Sequence, residues 1–286
     1  MRHVRDADSQ LLTLQEAADV VGCHYQTLYR RVRKGEVPAL VAGGSYRIRP
    51  ADLEAWMAQR DATAGAVPSR GERDWPAQAE RLLELMRAGD AAGARQAVDR
   101  LLDGGATVAD ICDRLLAPVL FRIGEGWDAG DISIADEHRA SRIAEGLLER
   151  ASSSRAKPGP RVGSVVVAAP AGDQHALPAQ MAAAGLAAEG FVVHFLGADL
   201  PVAEIARMAA DVDADLIALS CCIADRSGLS AAIAAADDLG IPVLVGGNGI
   251  GSAEALQLGA AAYAGSIAEA QTIARELVRE RASRAG

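Results

Sequence analysis

The stretch Gly172-Asp173-Gln174-His175-Ala176-Leu177-Pro178 follows an apolar run, residues 164–169, that is typical of a buried strand. An alanine-rich segment, residues 179–189, comes next and is typical of a helix. In open parallel sheets, ligands bind at the carboxyl ends of the strands. We therefore predict that His175 lies at a ligand-binding edge. A histidine here could also simply cap the following helix, and the stretch alone does not decide between the two.

Beyond this stretch, strand-like and helix-like segments alternate to the end of the chain. Strands are predicted at 164–169, 191–196, 216–220, 243–245 and 261–263, and helices at 179–189, 202–211, 229–238, 252–258 and 267–281. This alternation predicts an α/β domain over residues 161–286, with a doubly wound, flavodoxin- or Rossmann-like parallel sheet. Ser220 closes the third strand, and Gly246-Gly247 follow the fourth, so we expect them at the same edge as Asp173 and His175.

Residues 75–154 have the apolar periodicity of four helices, at 76–87, 90–102, a third that Thr107 caps, and 134–151. Their short connections predict a four-helix bundle. Residues 124–133 are predicted as a glycine-rich loop that carries Trp127. Glu137 and His138 follow at the start of the fourth helix. Taken singly, each has an ordinary explanation: Trp127 as a plug of the bundle, and the pair as a solvated first turn.

Residues 1–60 predict a winged helix-turn-helix domain. Thr13 and Glu16 form a capping box, a second helix is predicted from residue 25 to 34, and a hairpin is predicted around Gly43-Gly44. We predict that the second helix and the hairpin bind DNA through His24, Tyr25, Gln26, Thr27, Arg30, Arg31, Tyr46 and Arg47. Residues 61–74 have little apolar periodicity and are predicted as a linker.

The net charge of −9 is unevenly distributed. Residues 1–49, in the N-terminal head of the chain, carry a net charge of +3, whereas the remaining residues, the body, carry −12. This difference favours nucleic-acid binding by the head and not by the body. No apolar run is long enough for a membrane span and no signal-peptide pattern is present, so we expect a cytoplasmic protein. The four cysteines lack zinc-type spacing and are expected to be reduced and mostly buried.

The head resembles the excisionase-like branch of the MerR family. The resemblance lies in the order helix, helix, wing and a closing helix that begins Arg49-Pro50-x-Asp52-Leu53-x-x-Trp56. It implies that the partner is a double-stranded DNA operator. The alternative is that the basic helix is a solvated face of a small helical domain that binds protein.

The body resembles cobalamin-binding proteins. Asp173-x-His175, Ser220 and Gly246-Gly247 are similar to the cobalamin-binding signature, although Pro178 stands in place of its glycine and Cys222 in place of its leucine. The spacing from Trp127 to Glu137-His138 resembles the CarH/LitR family of adenosylcobalamin-dependent, light-responsive repressors.

This second resemblance implies a cobalamin-responsive transcriptional regulator that is not an enzyme. It implies cobalt ligation by His175, orientation of that histidine by Asp173, and a slot for the nucleotide tail at Ser220, Gly246 and Gly247. It further implies that Trp127, Glu137 and His138 line the pocket for the upper ligand of adenosylcobalamin, and that the protein is a homo-oligomer, a dimer or tetramer.

One position bears on the response to light. The photoreceptor branch has a histidine directly after the tryptophan, whereas this chain has Asp128. A carboxylate is a harder and weaker ligand for low-spin cobalt than imidazole. We therefore expect that light still cleaves adenosylcobalamin, but that the cobalamin photoproduct is held less firmly or its upper ligand is replaced by water.

Two other functions remain open from the sequence. The bundle and the α/β domain together would also suit a corrinoid carrier protein of a methyltransferase system. Alternatively, the cofactor domain of a regulator has lost cobalamin and serves oligomerisation.

Overall fold

The computed structural model describes residues 11–21, 25–33, 37–42, 45–63, 73–153 and 161–285. The chain divides into two compact units, Met1–Arg73 and Asp74–Gly286. Among the described helices, none combines the length and the apolar character needed to cross a bilayer.

The first unit is a small winged helix-turn-helix domain with its own core. Its elements are β1 (Leu12–Thr13), α1 (Leu14–Val21), α2 (Tyr25–Arg33), β2 (Leu40–Ala42), β3 (Ser45–Ile48) and α3 (Pro50–Thr63). The three strands form an antiparallel sheet in the order β1-β3-β2. The predicted hairpin is present. Sequence reasoning missed β1, because two residues are too few for a detectable alternation.

The capping box at the start of α1 is confirmed. The backbone N–H of Glu16 donates to Thr13 Oγ1 at 3.1 Å, and the backbone N–H of Thr13 donates to Glu16 Oε2 at 2.8 Å. The end of α3 differs from the prediction, because residues 61–63, predicted as linker, are helical. Gly43 and Gly44, around which the hairpin was predicted, lie outside the described residues, as do residues 64–72 of the predicted linker.

The second unit begins with the helical bundle. It contains α4 (Trp75–Arg87), α5 (Ala91–Asp103), α6 (Val108–Asp110), a π-helical segment (Ile111–Leu116), α7 (Ala117–Asp128) and α8 (Ile134–Ser153). Side chains cap four of these helices: Asp74 caps α4, Asp90 caps α5, Thr107 caps α6 in a reciprocal box with Asp110, and Ser133 caps α8. The helix that Thr107 was predicted to cap thus runs through the π-helical segment into α7.

The prediction of a loop at residues 124–133 was wrong in its first half, because α7 continues to Asp128. Glycine disfavours a helix interior by about 1 kcal/mol relative to alanine, but here packing decides. A Cβ on Gly126 would lie 2.6 Å from Ile132 Cδ1, so the missing side chain makes room for Ile132, which is buried. Gly126 O also accepts hydrogen bonds from Asp131 N and Ile132 N, which end the helix.

The α/β domain contains five parallel strands and five helices. In chain order they are β4 (Ser164–Pro170), α9 (Ala176–Ala188), β5 (Val192–Leu200), α10 (Val202–Asp211), β6 (Leu216–Ser220), α11 (Ser227–Asp238), β7 (Val243–Gly246), α12 (Ser252–Gln257), β8 (Ala262–Ala264) and α13 (Ile267–Ala285). The strand order is β5-β4-β6-β7-β8, with every pair parallel. The predicted doubly wound sheet of flavodoxin-like order is therefore confirmed.

The bundle and the α/β domain are joined through α9 and α13. Met181 and Ala184 on α9 belong to the same buried cluster as the bundle core. Asp113, in the π-helical segment, accepts hydrogen bonds from the backbone N–H groups of Ile267 at 2.8 Å and Ala268 at 3.0 Å. These are unpaired donors of the first turn of α13. A bundle carboxylate thus caps a helix of the α/β domain and fixes the two parts together.

Candidate functional site

A cavity of about 740 Å³ lies between the bundle and the carboxyl edge of the parallel sheet. Its size is within the range of pockets that bind small molecules. Two walls face each other across it. The bundle wall carries Trp127, Glu137 and His138, and the sheet wall carries His175, Ser220, Gly246 and Gly247. The structure thus brings together seven of the eight predicted cofactor-binding residues around one space. The eighth, Asp173, contacts His175 from within the sheet wall.

Asp173 holds His175 through both backbone and side chain. The carboxylate is only 1% exposed. Its Oδ1 accepts a hydrogen bond from His175 N at 3.0 Å and lies 2.8 Å from His175 Nδ1. Its Oδ2 accepts a hydrogen bond from Cys222 N at 2.6 Å. Because an ionised carboxylate only accepts hydrogen bonds, we place the ring proton on Nδ1, which leaves Nε2 with a free lone pair.

His175 does not act as a helix cap. It occupies the N-cap position of α9, but its side chain makes no capping hydrogen bond. The alternative explanation for this histidine is therefore wrong. The chain turns into it at Gly172, whose φ of +90° lies in the left-handed region that favours glycine. Asp173 holds the imidazole of His175 instead. The His175 side chain is 59% exposed and lines the cavity.

The electrostatics of the pair favour a charged carboxylate beside a basic imidazole. Burial raises the pKa of Asp173, but the hydrogen bonds from His175 and from Cys222 N outweigh it, so that the pKa lies below its usual value. The hydrogen bond to Asp173 raises the pKa of His175 despite its partial burial, and the charge of Glu137 on the opposite wall adds to this. An imidazole made more basic in this way is a stronger metal ligand.

The floor of the sheet wall is built by close backbone packing. Ser220 ends β6 and pairs with Gly246 at the end of β7. Gly247 has a φ of +105°, and a Cβ there would lie 2.3 Å from the carbonyl oxygen of Cys221. Only glycine fits this position. Burial raises the pKa of the neighbouring Cys222 thiol to about 11, so it is protonated at neutral pH.

The bundle wall is more exposed. Trp127 lies at the end of α7 and is 48% exposed. Glu137 accepts a hydrogen bond from Ser141 Oγ at 2.7 Å, and the His138 side chain is 72% exposed with Nε2 3.5 Å from Glu137 Oε2. Asp128 is exposed and does not line the cavity. The residue directly after the tryptophan is thus not part of either wall.

Pro178 lies in the first turn of α9 because the helix begins at Ala176, three residues earlier than predicted. The first-turn N–H groups of a helix have no intrahelical acceptor, so proline costs no backbone hydrogen bond here. Its ring lines the cavity.

Sequence reasoning missed several residues that line the cavity, among them Phe121, Asn248, Gly265 and Ser266. Gly265 and Ser266 follow β8 at the same edge of the sheet, so the rule that identified Gly246-Gly247, applied to the fifth strand, would have found them. Phe121 gave no signal, because an aromatic residue at helical spacing is typical of a bundle core.

The head places its described DNA-binding candidates around a cluster of aromatic rings. Tyr46 stacks edge-on against Tyr29 with ring centroids 5.9 Å apart. Arg31 is exposed, with its guanidinium 5.6 Å from the centre of the Trp56 ring. Arg47 donates a hydrogen bond to Tyr46 O at 3.3 Å. Tyr25, Gln26, Thr27 and Arg30 lie in α2, but their side chains, and the whole of His24, lie outside the described residues.

Comparison with known proteins identifies three domains. The family model of the helix-turn-helix domain matches residues 11–61, and two family models of B12 binding domains match residues 78–151 and 163–278. The chain therefore combines a helix-turn-helix domain with B12-binding domains, which confirms the resemblance drawn from the sequence.

Two curated relatives come from Myxococcus xanthus. The HTH-type transcriptional repressor CarA is 34% identical over 159 residues, which are 54% of this chain and 52% of CarA. The HTH-type transcriptional repressor CarH is 29% identical over 200 residues, which are 68% of this chain and 64% of CarH. The chain thus spans about half to two thirds of the length of these relatives.

A solved structure has the same fold as the second unit. The monomethylamine corrinoid protein of Methanosarcina barkeri matches 71% of this chain and 99% of its own, with a TM-score of 0.59 and 19% sequence identity.

Proposed function

We propose that the chain is a cobalamin-responsive transcriptional repressor that binds operator DNA through its head and adenosylcobalamin in its cavity. The observation that carries this proposal is a cavity that has the His175 imidazole on its sheet wall and Trp127, Glu137 and His138 on its bundle wall. The combination of a helix-turn-helix domain with B12-binding domains supports it, as do the relatives, which are transcriptional repressors.

The residues of the sheet wall fit a corrin. His175 would offer its Nε2 lone pair to cobalt, and Asp173 would keep the ring oriented and basic. Ser220, Gly246 and Gly247 leave space at the sheet edge for the nucleotide tail. When bound, adenosylcobalamin supplies a cobalt–carbon bond that light breaks. Trp127, Glu137 and His138 would enclose the side of the cofactor that faces the bundle wall.

The two walls of the cavity suggest how bound cobalamin would change DNA binding. A ligand shifts a conformational equilibrium only by binding one state more tightly than another. A cobalamin that contacts both walls favours the arrangement in which they face each other. We propose that this arrangement presents the heads as a dimer or tetramer, because two linked heads on repeated half-sites bind DNA far more tightly than one.

The first test is cofactor retention by the full chain. Protein purified with adenosylcobalamin should carry its absorbance, and His175→Ala should lower the affinity at least about tenfold or change the spectrum of the lower ligand. His194→Ala is the matched control, because His194 lies on β5 and does not line the cavity. Equal retention by wild type and His175→Ala, with identical spectra, would remove His175 from the proposed role.

The second test separates the sensor from the DNA-binding head. Binding to the DNA upstream of the protein's own gene should strengthen when adenosylcobalamin is added, and size-exclusion chromatography should detect a larger assembly. Arg31→Ala should weaken DNA binding without changing the absorbance of bound cobalamin. A chain that binds DNA equally well with and without cobalamin would overturn the sensor, while the DNA-binding role would stand.

The response to light concerns the imidazoles that line the cavity. Asp128 is exposed and off the cavity, so among the described residues His138 is the one imidazole besides His175 that lines it. We propose that green light changes the absorbance of the bound cofactor and weakens DNA binding, and that any second imidazole ligand comes from His138. Illuminated wild type and His138→Gln with the same final spectrum would exclude His138 from this role.

A corrinoid carrier for methyl transfer is the second candidate. The similarity of the fold to the corrinoid protein of M. barkeri favours it, whereas the helix-turn-helix domain favours the regulator. Incubating the chain, loaded with hydroxocobalamin and reduced to Co(I) by an added reductant, with methylamines or methanol and the matching methyltransferases separates the two. A carrier accumulates methyl-cobalt, and the proposed repressor does not.

A further inference from the structure

On the sheet wall, His175 lies close to two other side chains that can bind metal ions, Asp173 and Cys222. Ligand atoms of Asp173, His175 and Cys222 all lie within 4.8 Å of one another. Carboxylate oxygen, imidazole nitrogen and thiolate sulfur are the three ligand types that Zn²⁺ accepts, at about 2.0–2.3 Å from the ion. Cys222 stands where the cobalamin-binding signature has leucine. The thiol is therefore a feature of this chain that cobalamin binding does not require.

The frame around these groups is rigid. Cys222 N donates to Asp173 Oδ2, and His175 N donates to Asp173 Oδ1, so one buried carboxylate fixes the backbone of both other residues. On the other side of Cys222, a Cβ on Gly249 would lie 2.6 Å from the carbonyl carbon of Cys222, so the two loops touch through their backbones. Metal sites depend on such support from surrounding contacts.

One of the three groups remains adjustable. The His175 side chain is 59% exposed, so its ring can turn towards Cys222 without moving the buried frame. Cys222 Sγ lies 3.8 Å from Ser220 Oγ at the cavity surface. The space beyond the three groups is the cavity itself, which leaves a fourth position for water. Three protein ligands and one open position make a common zinc coordination set.

We propose that, without cobalamin, Asp173, His175 and Cys222 form a binding site for a thiophilic divalent cation, with Zn²⁺ as the fitting ion. Binding releases the proton of the Cys222 thiol to solvent and leaves a zinc–thiolate bond. Because His175 serves both the cation and the cobalt of the proposed function, Zn²⁺ and cobalamin exclude each other. The binding of Zn²⁺ itself does not depend on the proposed function.

Co²⁺ titration of the cobalamin-free full chain, in a non-chelating reductant, tests the site, because Co²⁺ bound to thiolate absorbs by charge transfer. We expect one ion per chain with this absorption, and its loss when Zn²⁺ is added. Cys222→Ser should abolish the absorption and weaken Zn²⁺ binding at least about tenfold, because thiolate is the softest of the three ligands. Cys221→Ser is the matched control. Its thiol is adjacent in sequence but buried, and it donates to Ile223 O.

Absence of the charge-transfer band in wild type, or its survival in Cys222→Ser, would overturn the proposal. Cys222→Leu separates it from cobalamin binding, since this variant should lose Zn²⁺ and keep hydroxocobalamin. Saturating hydroxocobalamin should lower the apparent Zn²⁺ affinity of wild type at least about tenfold by competition for His175. If the chain binds Zn²⁺ through Cys222 but no cobalamin, the proposed function fails and the zinc site stands.

Discussion

The two walls of the cavity are built in opposite ways. On the sheet wall, a buried carboxylate accepts three hydrogen bonds from its neighbours, and glycine backbones pack directly against adjacent loops. On the bundle wall, the Trp127 side chain is about half exposed and the His138 side chain is largely exposed. One side of the proposed cofactor would therefore meet residues held in preformed positions, whereas the other side would meet side chains that can move when it binds.

The largest expected effect is that of Gly247→Ala on the sheet wall. The new Cβ would strain a φ of +105° and approach the Cys221 carbonyl oxygen to 2.3 Å, so we expect a loss of about 3–5 kcal/mol in the free energy of unfolding. Gly197→Ala is the control, because its φ of +93° carries the same strain with nothing within 4 Å. Denaturant unfolding of both measures the difference. Equal losses would show that the floor yields and is not preformed.

The second largest effect is expected for Asp173→Ala, also on the sheet wall. It leaves the backbone N–H groups of His175 and Cys222 without their acceptor, at about 1–2 kcal/mol each. It also frees the imidazole, so cobalamin affinity should fall about 10–100-fold. Asp173→Asn, which keeps the shape, should lose less stability than Asp173→Ala but a similar share of affinity. Isothermal titration and thermal unfolding give the two quantities. Unchanged affinity in both variants would contradict a preformed ligand.

The next largest effect is expected at the joint between the two walls, which is the contact between Asp113 and the first turn of α13. Asp113→Ala removes the cap of α13, and we expect a loss of about 1–2 kcal/mol in stability. Asp90→Ala removes a comparable cap inside the bundle, at Gly93 N. Only Asp113→Ala should weaken cobalamin binding, because Asp113 ties the bundle to the sheet and also lines the cavity, whereas Asp90 does neither. If both variants bind cobalamin as wild type does, the joint is not needed to align the walls.

The smallest effect on stability is expected for Trp127→Ala, at no more than about 1 kcal/mol, because the side chain is half exposed. Its effect on function should be larger, with loss of the cobalamin-dependent increase in DNA affinity. Glu125→Ala serves as the control for helix α7, because Glu125 is exposed and does not line the cavity. A large loss of stability in Trp127→Ala would mean that Trp127 is a plug of the bundle, and the contrast between the walls would weaken.

Most of the fold was predictable because every element except the two-residue strand β1 carries its own local signal. Apolar runs of strand length alternate with helical periodicity, and polar or glycine residues end the strands at one edge, so β4, β6 and β7 and their order followed from the sequence. The errors lie where packing overrides local preference. Gly124 and Gly126 predicted a loop, but Ile132 packs into the space that Gly126 leaves, and α7 continues to Asp128.

The sequence by itself determined the residue types of the site and the strands that carry them, because periodicity and strand ends are properties of short segments. Only the tertiary structure decided which residues meet. Asp173 and Cys222 are 49 positions apart, yet a hydrogen bond joins them, and Asp113 caps a helix that begins more than 150 residues later. Contacts of this kind depend on how the bundle and the sheet pack, and no local pattern encodes them.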